Sequence, residues 1–188
     1  MMVRTSILSR KPQKALFLDR DGIINIDHGY TYKIEDFEFI EGIFDLIKLF
    51  MKQGYLVFII TNQSGIGRGY YSLKDFEILT KWMLTQLRKK EIEIQSIEHC
   101  PHIAEDACHC RKPNTGMIEN ILEHYNIDLN RSWLIGDKQS DIDLAINSHI
   151  PYTISISITS KDILNSQYSF NSILSCKEFI EKNKDNLL

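Results

Sequence analysis

The chain alternates between short apolar runs and longer segments in which apolar residues recur every three or four positions. The short runs have the length and composition of strands that are covered on both faces, and the longer segments have the spacing of amphipathic helices. The predicted strands cover residues 14–18, 55–60, 94–97, 133–135 and 152–158. This alternation predicts an α/β fold, a parallel sheet with helices on both faces.

The helices are predicted from apolar residues that share one helical face and from residues that begin or end helices. Ser72 and Asp75 form a variant capping box, and Gly54 ends the helix before it. The predicted buried faces are Ile43, Leu46, Ile47 and Phe50; Phe76, Leu79, Met83 and Leu87; Ile118, Ile121, Leu122 and Tyr125; and Ile142, Ala145 and Ile146. Residues 23–39 have no sustained period, so we expect a long loop there.

Composition narrows the class of protein. The 188 residues suffice for one domain with a sizeable core, and 43% apolar with 25% charged residues is ordinary for a folded protein. The formal net charge of −3 argues against a nucleic-acid surface. We therefore expect a single domain over residues 1–188 with a small-molecule partner. In the C-terminal tail, residues 159–188, only a weak helix around Phe179 is expected.

Two further expectations concern location. No stretch approaches eighteen consecutive apolar residues, and the basic segment 1–13 is followed by too short an apolar run for a signal peptide. We expect a cytoplasmic monomer without a membrane span. Three of the four cysteines lie within eleven residues, and in a reducing compartment such clustering favours metal binding over disulfides.

Two of the predicted strands end in carboxylates. Asp19 and Asp21 follow the first strand and precede Gly22, and Asp137 follows the fourth. Because the carboxyl ends of parallel strands lie along one edge of a sheet, we expect these acids to converge. A calcium loop is excluded, since its twelfth position would be Tyr30 rather than glutamate. For the first pair taken alone, a solvated turn is the alternative.

The second strand ends in small hydroxyl and amide side chains, followed by glycines. Such donors suit a phosphate group, although a glycine loop without a ligand is the alternative. The residues are Thr61, Asn62, Gln63 and Ser64. We expect them at the same edge of the sheet as the acids.

A phosphomonoester would account for these residues together. A divalent cation must offset the repulsion between the phosphoryl oxygens and Asp19, and Mg²⁺ suits an oxygen-rich site held by Asp19 and Asp137. Lys112 and the donors at Thr61 would neutralise the phosphoryl oxygens in the transition state. Asp21 would give a proton to the leaving group and take one from water.

A cluster of cysteines and histidine precedes Lys112. Three thiolates and one imidazole would satisfy a tetrahedral zinc with no open position, which is typical of a structural site. The expected ligands are Cys100, His102, Cys108 and Cys110. His99 or His109 could compete as the nitrogen ligand, and unliganded cysteines are the alternative. Arg111 and Lys112 follow directly and suit an anionic group, whereas a solvated basic pair is the other reading.

The motifs resemble the four motifs of the haloacid dehalogenase phosphatases. Within that superfamily they are most similar to the D-glycero-manno-heptose 1,7-bisphosphate 7-phosphatases, which serve the synthesis of lipopolysaccharide and surface-glycan precursors. The segments that carry the resemblance are residues 19–22, 27–30, 37–40, 61–66, 100–102, 108–113 and 136–138.

The resemblance implies a Rossmann-like core, an aspartyl-phosphate intermediate on Asp19 and structural zinc in the cysteine loop. It implies Mg²⁺ on Asp19, Asp137 and the backbone carbonyl of Asp21. Phosphate contacts are implied from Thr61, Asn62 and Lys112, and substrate recognition from Gln63, Arg111 and Lys138. The polar residues His28, Tyr30 and Ser64 complete the predicted substrate contacts.

Two departures from the family pattern keep alternatives open. Ile23 stands where the family usually has threonine, and the short loop between His102 and Cys108 is similar to that of the histidinol-phosphate phosphatases. Histidinol phosphate is therefore an alternative substrate, although its ammonium group would meet Arg111 and Lys112, which have the same sign of charge. A non-catalytic, zinc-stabilised binding module is the second alternative, and it would leave the strand-end acids unexplained.

Overall fold

The computed structural model describes residues 11–157 and 163–188. Six strands form one sheet in the order β3-β2-β1-β4-β5-β6, and all five strand pairs in it are parallel. The strands are β1 (Ala15–Leu18), β2 (Leu56–Asn62), β3 (Ser96–Cys100), β4 (Trp133–Gly136), β5 (Tyr152–Ile156) and β6 (Tyr168–Phe170). The predicted α/β class with a parallel sheet is confirmed.

Helices cover both faces of this sheet. Leu16 and Leu18 of β1 join a core that includes residues of α1, α3 and α6, whereas Ala15 and Phe17 point the other way and pack with α4 and α5. The helices are α1 (Ile43–Lys52), α2 (Ser64–Gly67), α3 (Leu73–Lys89), α4 (Gly116–His124), α5 (Gln139–Asn147) and α6 (Ile173–Leu187). Within the described residues, no helix combines the length and apolar composition needed to cross a bilayer.

The strand order creates a crevice beside β1. From β1 the chain moves outward to β2 and β3, and it then returns to pair β4 against the other side of β1. The connections on the two sides therefore diverge, and a crevice opens at the carboxyl ends of β1 and β4, where ligands bind in open α/β sheets. Asp19 and Asp137 follow these two strands directly.

The strand predictions at the sheet edges needed correction. The third strand is Ser96–Cys100 and not residues 94–97, because an edge strand pairs on one side only and is half-buried over most of its length. Its apolar pattern is therefore weak, and the shift places Cys100 at the strand end. β5 ends at Ile156, and residue 158 of the predicted strand lies outside the described residues.

One helical prediction was wrong, and one strand was missed. Ile146 is 49% exposed, because Leu144 and Ala145 form the buried side of α5 together with Ile142. A helix of 15 residues, α6, contains Phe179, where a weak helix was expected, and the short strand β6 before it was not predicted. Residues 159–162 of the C-terminal tail lie outside the described part of the chain.

Candidate active site

Three carboxylates meet at the carboxyl ends of β1 and β4. Asp19 and Asp141 are buried and Asp137 is half-buried, and one oxygen from each lies within 4.8 Å of the others. Asp19 and Asp137 were predicted to converge. Asp141 was noted only as one helical turn beyond Asp137, and its membership of this cluster is a finding of the structure.

Lys112 places its ammonium group among these acids. Its Nζ lies 2.8 Å from Asp19 Oδ1 and 2.5 Å from Asp141 Oδ1, and it donates to the carbonyl of Ile60 at 3.1 Å. Burial alone would lower the pKa of Lys112, but the carboxylates of Asp141 and Asp19 raise it above its usual value. The side chain is therefore a fixed cation whose donors are already engaged.

Asn62 holds the backbone of Lys112 in place. Its Oδ1 accepts from the amide of Lys112 at 3.0 Å, and its Nδ2 donates to the carbonyl of the same residue at 3.2 Å. Predicted as a phosphate contact, Asn62 thus uses both ends of its amide to join the end of β2 to Lys112. This clamp explains how a residue 50 positions away reaches the sheet edge.

Glycine is required where β1 and β4 end. Gly22 has a φ of +89°, and a Cβ there would overlap the carboxylate of Asp137. Gly136, the last residue of β4, lies so close to Asp141 that a Cβ would overlap its carboxyl group. Because Gly22 and Gly136 have no side chain, the acids can approach one another closely.

The charge balance of the cluster suits a divalent cation. Burial is the main cause that raises the pKa of Asp137 to about 8, and the neighbouring carboxylate of Asp19 adds to it. Burial also raises the pKa of Asp19, although Lys112 opposes this effect. Asp137 Oδ1 is buried and finds no hydrogen-bond partner within the part of the chain that the structure describes. An oxygen ligand without a donor, among crowded carboxylates, fits Mg²⁺.

Asp21 belongs to a separate hydrogen-bond network. Its Oδ1 accepts from Arg20 Nη2 at 2.8 Å and Asn25 Nδ2 at 3.0 Å. Its Oδ2 accepts from Arg20 Nε at 3.1 Å and Gln63 Nε2 at 3.0 Å. Gln63 Nε2 also donates to Thr61 Oγ1 at 2.8 Å. Gln63, predicted as a substrate contact, is therefore almost fully buried and supports Asp21.

A cleft of about 180 Å³ opens beside Asp21. Tyr30 forms part of its wall and is 45% exposed. Lys138 Nζ donates to Asp27 Oδ2 at 3.1 Å and lies 3.8 Å from Asp137 Oδ2. Burial alone would lower the pKa of Lys138, but the carboxylate of Asp137 raises it. The residues around the cleft are Asp21, Asp27, Gly29, Tyr30, Asn62, Gln63, Ser64, Tyr71 and Lys138.

Three residues singled out from the sequence make their contacts away from the carboxylate cluster. His28 Nε2 lies 3.5 Å from Glu38 Oε1 at the surface, and Arg111 Nη1 donates to the carbonyl of His102 at 3.1 Å. Ile23, which stands in the place of the family's threonine, is completely buried in the apolar core. Its side chain is therefore directed into the core and not toward a ligand.

The four predicted zinc ligands converge in space. The three sulfur atoms lie 3.0 to 3.5 Å apart, and His102 Nδ1 lies 3.3 Å from Cys110 Sγ and 3.6 Å from Cys100 Sγ. Tetrahedral zinc with bonds of about 2.3 Å to sulfur separates its ligands by roughly 3.7 Å. The set is therefore compatible with zinc. His109 instead contacts Glu119 of α4, with 2.7 Å between Nε2 and Oε2.

The close approach of Gly22 to Asp137 yields a prediction about stability. Gly22→Ala and Gly54→Ala both place a side chain at positive φ, but Gly54 has nothing within 4 Å of its Cβ position. The free energy of unfolding should fall by about 1 kcal/mol in both variants, because alanine is strained in left-handed backbone. In Gly22→Ala it should fall by roughly a further 1–3 kcal/mol, because the new side chain is overpacked against Asp137. Urea denaturation measures both, and equal losses would contradict the close approach.

Comparison with known proteins identifies the family. The chain matches the family described as Polynucleotide kinase 3 phosphatase over residues 14–177. It is 48% identical over 149 residues to D-glycero-alpha-D-manno-heptose-1,7-bisphosphate 7-phosphatase of Campylobacter jejuni, covering 79% of this chain and 86% of that protein. It is 44% identical over 169 residues to the D-glycero-beta-D-manno enzyme of Helicobacter pylori, covering 89% and 95%.

A solved structure agrees with this relationship. D,D-heptose 1,7-bisphosphate phosphatase from B. bronchiseptica, complexed with magnesium and phosphate, superposes with a TM-score of 0.78 at 24% identity and covers 90% of this chain and 99% of that one. This structure shares the fold, and the two relatives above confirm the family resemblance seen in the sequence. The chain belongs to the heptose-bisphosphate phosphatases of the haloacid dehalogenase superfamily, and it is a phosphoric monoester hydrolase.

Proposed function

We propose that this enzyme removes the 7-phosphate of D-glycero-manno-heptose 1,7-bisphosphate through an aspartyl-phosphate intermediate on Asp19. The observation that carries the mechanism is the cluster of Asp19, Asp137 and Asp141 around the ammonium group of Lys112. The substrate follows from the relatives, which are named for this activity at up to 48% identity. Both anomers occur among those names.

Asp19 is the nucleophile in this proposal. Its Oδ1 accepts from the amide of Arg20 at 2.7 Å and lies 2.8 Å from Lys112 Nζ. Oδ2 takes part in neither contact, so it is the oxygen that would attack phosphorus. The new bond joins Oδ2 to phosphorus, and the bond between phosphorus and the C7 oxygen breaks. Water then attacks the same phosphorus and releases inorganic phosphate, which restores Asp19.

Asp21 carries the proton in both halves of the reaction. It protonates the departing C7 alkoxide, and it later accepts a proton from the attacking water. Its four hydrogen bonds come from three residues, Arg20, Asn25 and Gln63, and all four are donated to its carboxylate. These donors fix the carboxylate in one orientation.

Mg²⁺ would be held by the carboxylates of Asp19 and Asp137 and by the backbone carbonyl of Asp21. When bound, it offsets the repulsion between the phosphoryl oxygens and the attacking carboxylate. Asp141 holds Lys112 opposite Asp19, which keeps a second cation at the site. Thr61, Ser64 and Lys138 complete the proposed phosphate and substrate contacts. Tyr30, which lines the cleft, is a further proposed contact. The other proposed contacts would have to exchange the partners that they have in this structure; these are Asn62, Gln63, His28 and Arg111.

A substrate panel tests the proposal. Purified enzyme is assayed on both anomers of the heptose bisphosphate and on histidinol phosphate, with Mg²⁺ and with chelator. We expect kcat/KM for at least one heptose anomer to exceed that for histidinol phosphate by at least ~100-fold, about 2.7 kcal/mol of differential transition-state binding. The cationic side chains Lys138 and Arg111 suit a second phosphate better than an ammonium group.

Asp19→Asn provides the control for this panel. The variant keeps the size and hydrogen-bonding shape of the side chain but is no nucleophile, so it should fold and lose nearly all turnover. Residual activity near the wild-type level would assign the turnover to a contaminant or to another mechanism. A preference for histidinol phosphate would overturn the substrate assignment and leave the mechanism intact.

We also propose a structural zinc on Cys100, His102, Cys108 and Cys110. Elemental analysis should find about one zinc per chain, and Cys108→Ser should lose it together with stability. Cys176→Ala is the control, because Cys176 is buried in the core far along the sequence and should not change the zinc content. Zinc absent from the wild type, or retained in full by Cys108→Ser, would refute the site.

The loss of zinc should affect Arg111 more than Lys112. Lys112 is held by Asn62, Asp19 and Asp141, and none of them lies in the zinc loop. Arg111 instead contacts the carbonyl of His102 within that loop. The proposal also includes that the protein is a cytoplasmic monomer and that it serves nucleotide-heptose synthesis. The cytoplasm fits because three zinc-binding thiolates need a reducing compartment.

A further inference from the structure

Tyr71 lies behind the Asp21 network without touching Asp21 itself. Its hydroxyl donates to Gln63 Oε1 at 2.6 Å. The other end of the same amide, Gln63 Nε2, donates to Asp21 Oδ2 and to Thr61 Oγ1. A chain of hydrogen bonds therefore runs from a buried phenol through a buried amide to the carboxylate that is proposed to transfer the proton.

We propose that the Tyr71 hydroxyl is a positioning group for Asp21, because it fixes the orientation of the Gln63 amide. The inference rests on the proposed function in one respect, the role of Asp21 in proton transfer. The side chain of Tyr71 also lines the cleft, but its hydroxyl donates to Gln63, so in this account the hydroxyl acts through Gln63.

The amide of Gln63 has two possible orientations, and the phenol selects one. In the observed orientation the NH₂ group faces two acceptors, Asp21 Oδ2 and Thr61 Oγ1, and the carbonyl oxygen faces the phenol. In the reversed orientation the carbonyl oxygen would face the carboxylate, and two acceptors would repel. Burial raises the pKa of Tyr71 to about 12, so the phenol remains a donor at neutral pH.

The position of the Tyr71 ring does not depend on its hydroxyl. The ring stacks on Tyr32, with centroids 5.1 Å apart and planes 8° apart. On another side it lies against Gly65, where a Cβ would overlap the ring. Packing thus fixes the ring, and Tyr71→Phe should remove one hydrogen bond while leaving the surrounding aromatic contacts in place.

Loss of the hydroxyl leaves Gln63 Oε1 without its buried donor. The observed orientation then keeps its bonds to Asp21 and Thr61 but loses one of its three hydrogen bonds, so the amide is held less tightly and Asp21 Oδ2 lacks this donor for part of the time. Arg20 and Asn25 still hold the carboxylate. We therefore expect a partial effect, roughly tenfold, below the 10²- to 10⁴-fold that complete loss of proton transfer costs.

The experiment separates proton transfer from general damage by means of the leaving group. Glycerol 2-phosphate releases an alkoxide that needs a proton, whereas p-nitrophenyl phosphate releases a phenolate that does not. The value of kcat/KM reports the steps through departure of the leaving group. Tyr71→Phe should lower it roughly tenfold for the alkyl ester and less than about twofold for the aryl ester.

Two further variants complete the test. Tyr70→Phe is the matched control, because Tyr70 is the sequence neighbour, is 57% exposed and should leave both esters unaffected. Gln63→Leu should show the same selective loss as Tyr71→Phe, and the double variant should be no worse than Gln63→Leu alone. Thermal denaturation of each variant establishes that it is folded.

The outcomes distinguish this inference from the proposed function. An equal loss on both esters, no loss on either, or additive losses in the double variant would overturn the positioning role of Tyr71. A wild-type enzyme that cleaves neither ester and none of the substrate panel would overturn the phosphatase mechanism, and the inference with it.

Discussion

The ion cluster of Lys112 with Asp19 and Asp141 is the interaction on which the rest of the site depends. A buried ammonium group is costly unless it is paired, and here two carboxylates and a backbone carbonyl satisfy it. The third carboxylate, Asp137, has a raised pKa, and among the described residues no donor reaches its Oδ1. Lys112 alone does not balance three carboxylates, and Lys138 lies 3.8 Å from Asp137 Oδ2. A proton on Asp137 or a further cation offsets the remaining negative charge.

Several features of the fold serve this cluster. The parallel sheet brings the ends of β1 and β4 together, and Gly22 and Gly136, which have no side chains, leave room for the carboxylates. Asn62 carries Lys112 to the same edge from a loop 50 residues away. Each of these features fixes the position of a charged group, so a change in any of them would move that group.

Asp21 has an independent support on the other side of the crevice. Arg20 is almost fully buried and contacts both oxygens of Asp21. Gln63, which follows β2, donates a hydrogen bond to Asp21. The hydroxyl of Tyr71, in the segment before α3, donates in turn to Gln63. The side chains of the proposed nucleophile and the proposed proton carrier therefore have different partners, except that the amide of Arg20 donates to Asp19 and its guanidinium donates to Asp21.

The sequence was most informative where a residue's role follows from its place on a buried parallel strand. The convergence of Asp19 and Asp137 could be expected because continuous apolar runs mark central strands and the ends of such strands share one edge. Lys112 was expected at the same edge, but it comes from a loop, and the structure shows that Asn62 holds it there. Edge elements such as β6 were missed, because a strand of three half-exposed residues has no distinctive pattern.

The sequence also did not predict which side chains contact one another. Gln63 was assigned to the substrate because it follows a strand, and only the structure shows its amide fully engaged with Asp21, Thr61 and Tyr71. Asp141 had the right spacing from Asp137, but its pairing with Lys112 depends on the approach of a distant loop. Spacing along the chain cannot reveal which of several polar groups supplies the partner.

The excess negative charge of the cluster is tested most directly by unfolding free energy as a function of Mg²⁺. Saturating Mg²⁺ should stabilise the wild type by about 2.7 kcal/mol at a concentration 100 times its Kd. At a pH above about 8, where Asp137 is ionised, Asp137→Asn should be more stable than the wild type without Mg²⁺, because repulsion is relieved, and should no longer respond to Mg²⁺. Asp143→Asn, a change on α5 outside the cluster, should respond as the wild type does. A wild-type stability that is independent of Mg²⁺, or an Asp137→Asn variant that responds equally, would contradict the account.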